Sequence, residues 1–435
     1  MLDRSVTFSS ELDESLFQEI PAAAAVFLLR GHGEPYVSKT ANLRRRLQRL
    51  LRPPTELSKR LNLRGLVRQI EFTLTGSDFE SQFLLYRLLR ETFPKAYSSR
   101  LRIRPAPLVK LHLENEYPRA SVTTRLGRTV WTQPPSTVLG SEVRADEEAE
   151  EPSSSSRQDS RGRLSLRSSN LYYGPFASRA AAEKFANDTL DFFKMRRCVE
   201  DLHPDPAFPG CVYSEMKMCL APCFKGCTDV EYHAEVERVQ TFFDSGGESL
   251  NHELAEQRER ASSELAFEEA AAIHIKIEKL KPLRSQLPEI VQRLDKLRAL
   301  MVQPAAAQED PGAEREGAAQ SEAVSLFLFQ DCMLQGPIQF SIERRAESQS
   351  MESRVEEAIA SFAPATGSTN MERAEHLALI KRWFYRSHRV GEIFFADDKG
   401  TWPLRRIVRG IGRVHHGEKR EDADSLGSRS PAAKS

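Results

Sequence analysis

The amino-acid sequence predicts an α+β protein built from several small modules. Three observations carry that reading. Short extended runs alternate with helical runs through the first hundred residues. One stretch, residues 249–283, has helical periodicity alone. Two breaks rich in Pro, Ser, Ala and acidic residues separate the ordered parts. At 435 residues the chain has room for two or three domains, and 40% hydrophobic residues suffice for ordinary cores.

The first module spans residues 16–100. Residues 23–29 form an apolar run, and residues 35–39 a second extended piece across the Gly31-His32-Gly33 turn. Residues 42–52 read as a basic amphipathic helix stopped by Pro53-Pro54. In residues 69–74, Ile70, Phe72 and Leu74 alternate with polar neighbours, which is a strand period. Residues 78–93 follow as a helix, with Asp78 expected as N-cap and Pro94 just past its end. The order is a β-β-α-β-α module.

Residues 101–132 read as an extension carrying two strands, 109–113 and 120–124. Composition then collapses into Pro, Ser, Arg and acidic residues over 133–170, as expected of a disordered linker. A cysteine-rich domain is expected over 171–245. It opens on Leu171-Tyr172-Tyr173-Gly174-Pro175-Phe176 and a helix near 178–195 capped by Ser178. Residues 248–283 form a helix hairpin broken near residues 265–267. Leu250, Leu254, Ala261 and Leu265 are expected on one apolar face, and Ala270, Ile273, His274, Ile277 and Leu280 on the next. Such a hairpin is too small to hold a core alone, so an uncovered apolar face would suit a partner. Residues 303–321 read as a second linker. Residues 322–415 read as a small α/β segment with strands 324–329 and 338–342 and a helix 371–384, before a polar tail over 416–435.

Net charge is zero, so affinity for nucleic acid has to come from local patches. Residues 44–68 hold nine Lys or Arg against the single Glu56. No run reaches the roughly eighteen apolar residues of a membrane span, and the N-terminus lacks a basic-then-apolar leader, so a soluble cytoplasmic protein without membrane partners is expected. Five of the six cysteines, Cys198, Cys211, Cys219, Cys223 and Cys227, fall within 30 residues. Without a secretion signal, such a cluster suggests a metal or iron–sulfur site before a disulfide framework. Cys332 reads as an ordinary core cysteine.

Four pieces, in this order, resemble the UvrC family of bacterial nucleotide excision repair. The first is a GIY-YIG nuclease module, whose two motif strands here read Ala25-Val26-Phe27 and Tyr36-Val37-Ser38, followed by Lys39-Thr40-Ala41-Asn42-Leu43-Arg44-Arg45-Arg46-Leu47. The second is Tyr172-Tyr173-Gly174-Pro175-Phe176 leading into the cysteines. The third is Leu265-Ala266-Phe267-Glu268-Glu269-Ala270-Ala271, similar to the UVR motif that docks on UvrB. The fourth, after Val324, resembles the segment leading into the family's RNase H-like nuclease, and that nuclease is expected to be absent.

The resemblance implies roles residue by residue. Tyr36 matches the motif's second tyrosine and Arg46 its arginine, both set around a phosphate; a strand tyrosine in the core and a solvated helix face are the plain alternatives. The first motif tyrosine is Phe27, and the motif glycine is Ser38. Counting from Pro94 puts the metal-holding glutamate at Leu85, which offers Mg²⁺ or Mn²⁺ no oxygen. Glu80 and Glu91 point elsewhere around the helix, and Asp78 lies further down its axis. The module is therefore expected to be impaired for incision. Cys198-x12-Cys211-x7-Cys219-x3-Cys223 fits the family's iron–sulfur spacing. It lacks the tight Cys-x2-Cys pairs of a zinc ribbon, so zinc is the second choice and buried free thiols the third. Cys227 is a spare.

At the hairpin, Leu265, Phe267, Glu268, Glu269 and Ala270 are the implied UvrB-binding residues, although His274-Ile275 replaces the family's usual Arg-Asp. Arg44, Arg45, Arg49 and Arg52 are the candidate contacts to damaged double-stranded DNA, with residues 381–413 as a further basic stretch. Three functions follow: a repair component with impaired incision, an active metal-dependent endonuclease making the 3′-side cut, or a non-catalytic regulator occupying UvrB. The first leaves room for a separate nuclease as a further partner.

Overall fold

The computed structural model describes residues 2–9, 16–53, 61–127, 170–306, 323–343, 349–363 and 368–417. The protein is α+β. It divides into two compact units, Met1–Ala106 with Pro175–Ala177 and Lys296–Ser435, and Pro107–Gly174 with Ser178–Asp295.

The first unit opens with β1 (Arg4–Thr7), α1 (Leu16–Glu19), β2 (Ala25–Gly31), β3 (Tyr36–Thr40), α2 (Leu43–Leu51), β4 (Val67–Leu74), α3 (Asp78–Thr92) and α4 (Tyr97–Leu101). The β-β-α-β-α order runs from β2 to α3, and β1 adds an edge to give the antiparallel sheet β1-β4-β2-β3. Alternation along β2 sets the layers. Ala25, Phe27 and Leu29 pack with Leu43, Leu47 and Leu50 of α2, whereas Val26 and Leu28 pack with Leu84, Leu85 and Leu88 of α3. Asn42 caps α2 by accepting from the Arg45 N–H. Ser77, not Asp78, caps α3, its hydroxyl accepting from the Glu80 N–H. The cap must stand just outside the helix to reach the third N–H, and Asp78 already lies inside.

The second unit holds β5 (Leu108–Leu111), β6 (Ala120–Thr123), β7 (Leu171–Gly174), α5 (Arg179–Leu190), α6 (Val212–Glu215), α7 (Asp229–Asp244), α8 (Glu248–Ser263), α9 (Phe267–Ser285) and β8 (Gln292–Arg293). Its sheet runs β6-β5-β7-β8. Of the two strands read as an extension over 101–132, β5 pairs with the strand that opens the cysteine-rich domain and β6 pairs with β5, and the boundary falls after Ala106. Ser178 caps α5 as expected, but that helix stops at Leu190. Helix α7 adds to the expected elements, and Thr228-Asp229-Val230-Glu231 forms a capping box at its start. Of the linker expected over 133–170, all but Asn170 lies outside the described residues.

The first unit resumes with β9 (Ala299–Pro304), β10 (Ala323–Gln330), β11 (Met333–Ser341), α10 (Met351–Ala360), α11 (Asn370–Phe384), β12 (Glu392–Phe395) and α12 (Leu404–His416), with sheet order β11-β10-β9-β12. Gln303 and Pro304, assigned to a linker, belong to β9, where Gln303 is buried opposite Ser325. Residues 307–321 of that linker lie outside the described residues, as does the tail from 418. One sheet face packs on α10 and α12 through Val355, Ile407, Ile411 and Val414. The other meets α3, with Phe327 edge-on to Phe79 and Phe83 at 5.2 and 6.1 Å. Helix α3 is therefore held between two sheets. A polar contact reinforces this: Tyr86 and Tyr97 both donate to the buried Glu375 carboxylate, at 2.8 and 2.9 Å. Among the described residues no helix is long and apolar enough to cross a membrane.

Candidate functional site

Alternation along β3 turns Tyr36 toward α2, where its ring lies 6.1 Å from that of Phe27. From the first turn of α2, Arg46 Nη2 donates to Tyr36 Oη at 2.8 Å. Residues ten apart in sequence thus meet across one strand-to-helix turn. Arg46 Nε is buried and, among the described residues, has no hydrogen-bond partner. A desolvated guanidinium with an idle donor beside a phenol suits a phosphate oxygen. Phe27 is 0% exposed, so a hydroxyl added there would need a buried partner. Ser38 stands directly opposite Phe27.

The carboxylates of α3 do not join this pair. Leu85 packs against Val26, Leu28 and Val37, on the sheet face opposite Tyr36. Glu80 is 5% exposed and accepts from the Gly76 N–H at 2.8 Å. Burial pushes its carboxyl up to about 7, with the Gly76 bond opposing and Asp3 adding. Glu91 is exposed. Asp78 accepts from Lys39 Nζ at 2.6 Å and Arg386 Nη1 at 2.5 Å. Partial burial works to raise its pKa, but these two hydrogen bonds and charges outweigh it and hold the carboxyl below its usual range.

In the second unit, Cys219 and Cys223 each lie within electrostatic reach of Cys198 and Cys211. Burial, followed by the neighbouring Cys198, Cys223 and Cys211, pushes the Cys219 thiol up to about 11. Burial and then Cys211 raise Cys223 in the same direction. Cys227 borders the group through Cys223, with Glu231 and Asp229 nearer. Two donors already point at sulfur: Arg196 Nη1 at Cys198 Sγ and the Ala221 N–H at Cys219 Sγ, both at 3.3 Å. Arg196 is buried and anchored to the carbonyls of Tyr117 and Glu200. Among the described residues no His, Cys, Asp or Glu group closes to a metal-ligating shell. The donor chemistry nevertheless fits a cationic centre. Cys219 and Cys223 are both held toward the thiol, and positive charge among them would favour their thiolates. Cys332 is buried in the first unit, as expected.

The hairpin forms, with Leu250, Leu254 and Ala261 of α8 buried, and Ile273, Ile277 and Leu280 of α9. Two expected face residues are not on that face. Leu265 is 70% exposed, because α8 has ended at Ser263 and the residue takes φ +61°. His274 is exposed because it follows Ile273 by about 100° around the helix. Phe267 is 65% exposed, and Glu268 and Glu269 occupy the first turn of α9 beside it, with Ala270 half-buried.

The arginines of α2 divide. Arg45, Arg49 and Arg52 are exposed. Arg44 is a brace instead, donating to the carbonyls of Ile20 and Gln18 at 2.7 and 3.0 Å. In the further basic stretch, Arg413 is committed to Glu392.

A model of the UvrC/Cho excinuclease middle domain matches residues 146–242. The chain is 25% identical over 290 residues to UvrABC system protein C of Rickettsia canadensis (strain McKiel), and 24% identical to that of Rickettsia africae (strain ESF-5). Each alignment covers 66% of this chain but 39% of the relative, so the chain spans about two-fifths of the length of the curated relatives it matches. No solved structure matches. With the middle-domain match spanning the cysteines and these relatives across two-thirds of its length, the chain is similar to the UvrC proteins.

Proposed function

We propose that this protein acts in bacterial nucleotide excision repair in the cytoplasm, docking on UvrB through the hairpin tip and on damaged duplex DNA through Arg45, Arg49 and Arg52. Its GIY-YIG site is impaired for incision. The observation that carries the docking is Leu265. A non-glycine residue in the left-handed region costs roughly 1–2 kcal/mol, and a glycine would relieve it, yet the chain keeps a leucine there, solvent-exposed beside an exposed Phe267. A strained turn at an exposed apolar tip supports this docking role. Phe267→Ala is expected to weaken the UvrB complex by about 2 kcal/mol or more, measured by titration calorimetry, with unfolding unchanged. Equal affinities would return the tip to a structural role.

Impairment follows from Leu85 and Phe27. Purified protein incubated with UvrA, UvrB, a lesion-bearing duplex and Mg²⁺ or Mn²⁺ is expected to make no 3′-side cut above background. The idle Nε of Arg46 favours the second reading, an active endonuclease. Robust metal-dependent cutting abolished by Tyr36→Phe would establish that one. Cys198, Cys211, Cys219 and Cys223 would hold an iron–sulfur cluster, whose contribution is folding energy for the surrounding loop.

A further inference from the structure

From His376 to Gly391 the chain carries Lys381, Arg382, Arg386, His388 and Arg389 and no acidic residue. All but Lys381 are exposed. In the same compact unit, the exposed Arg104 comes close enough to Lys381 to depress its pKa, after burial as the larger cause. Asp78, at the start of α3, bridges Lys39 of β3 and Arg386 beyond α11. Cations at the C-terminal end of α11 complement the helix dipole, which accounts for Lys381 and Arg382. It does not account for Arg104 beside Lys381, nor for one carboxylate shared by cations from two distant elements. Crowded cations with a single bridging anion are the arrangement a phosphate backbone meets. The carboxylate in the bridging place is 54% exposed, so displacing it costs little.

We propose that Lys39, Arg104, Lys381, Arg382 and Arg386 form a second seat for the phosphate backbone of duplex DNA. Asp78 is its internal competitor, holding Lys39 and Arg386 until a phosphate displaces it. The proposal rests on the DNA-binding part of the proposed function for the identity of the polyanion, and that part is tested separately on α2.

The experiment uses the full chain and a fluorescent duplex, with binding followed by anisotropy across a salt series. Asp78→Asn keeps the side chain's shape and removes its charge. It is expected to tighten binding roughly 3- to 10-fold at low salt and to steepen the log K against log salt slope by about one unit. Arg104→Glu and Arg386→Glu should each weaken binding and flatten the slope by about one unit. Thermal melts verify folding, and Asp78→Ser replaces Asn if that variant is unstable. Unchanged or weaker binding by folded Asp78 variants overturns the competitor. An unaltered slope in Arg104→Glu and Arg386→Glu overturns the seat. If charge reversal of Arg45 and Arg49 alone abolishes binding, the α2 face stands and this seat falls. If only the seat variants act, the reverse holds. A wild-type chain that binds no duplex at low salt sinks both.

Discussion

Protein purified without oxygen will be brown and will contain iron and sulfide in near-equal amounts, and Cys211→Ser or Cys223→Ser will bleach it. Burial and neighbouring cysteines raise Cys223 and push Cys219 up to about 11, so without a neighbouring cation Cys219 stays protonated at neutral pH. A cluster supplies that positive charge, and the donors from Arg196 and Ala221 already face the sulfurs it would bind. The effect on stability should be large. Between α5 and α7 the chain has only the four-residue α6 and the single 3₁₀ turn Pro222–Phe224 as regular structure. A structural metal can supply on the order of 10 kcal/mol of folding energy at such a loop. The second unit should therefore lose protease resistance in the serine variants while the first keeps its own. Stoichiometric zinc without iron would replace the cluster by a zinc site. Equal protease resistance of the wild type and serine variants, with no metal, would leave only buried thiols.

Glu80→Gln will stabilise the first unit at pH 8 and leave it unchanged at pH 4. The folded carboxyl has its pKa raised to about 7 from 4.5, chiefly by burial. The native state thus favours the protonated acid. Its contribution is fully present below pH 4.5 and is lost as pH rises through about 7. Above that, holding the charge in place costs up to about 3 kcal/mol at 1.36 kcal/mol per pH unit. Glutamine removes the charge, and its amide oxygen can still accept from the Gly76 N–H. His376 contributes the opposite sign: burial lowers its pKa to about 4 from 6.5, so its stabilisation is lost as pH falls through that window. Comparing wild type and variant at each pH cancels that term, and urea unfolding reads the difference. The same difference at pH 4 and pH 8 would show that Glu80 is not the titrating group.

Much of the architecture was legible because it is local. The helix periods of 249–283, the capping residue Ser178, and the alternation in β4 depend on neighbours within a turn or a few strand residues. The cysteine spacing and the Phe267-Glu268-Glu269 tip were legible for the same reason. The short strands β9 and β12 were not. Both are apolar on successive positions and carry no alternation to read, since β9 lies between two neighbouring strands and has covered faces. In the hairpin, helical periodicity extended across Leu265 and His274 placed both on the buried face; the actual break at Ser263 and the left-handed Leu265 turn the tip outward.

By itself the sequence determined the β-β-α-β-α order, the helix hairpin, the position of the cysteines and the leucine at position 85. Tertiary structure alone decided which of those residues meet. It joined Arg46 to Tyr36, set Leu85 on the other face of the sheet, paired the 108–111 strand with both 120–123 and Leu171–Gly174, and tied Arg44 to the backbone of α1. It also enclosed α3 between two sheets and brought Arg386 to Asp78 across 308 residues. Contacts of that separation are selected by which apolar faces can be covered together, a property of the packed whole that no local propensity encodes.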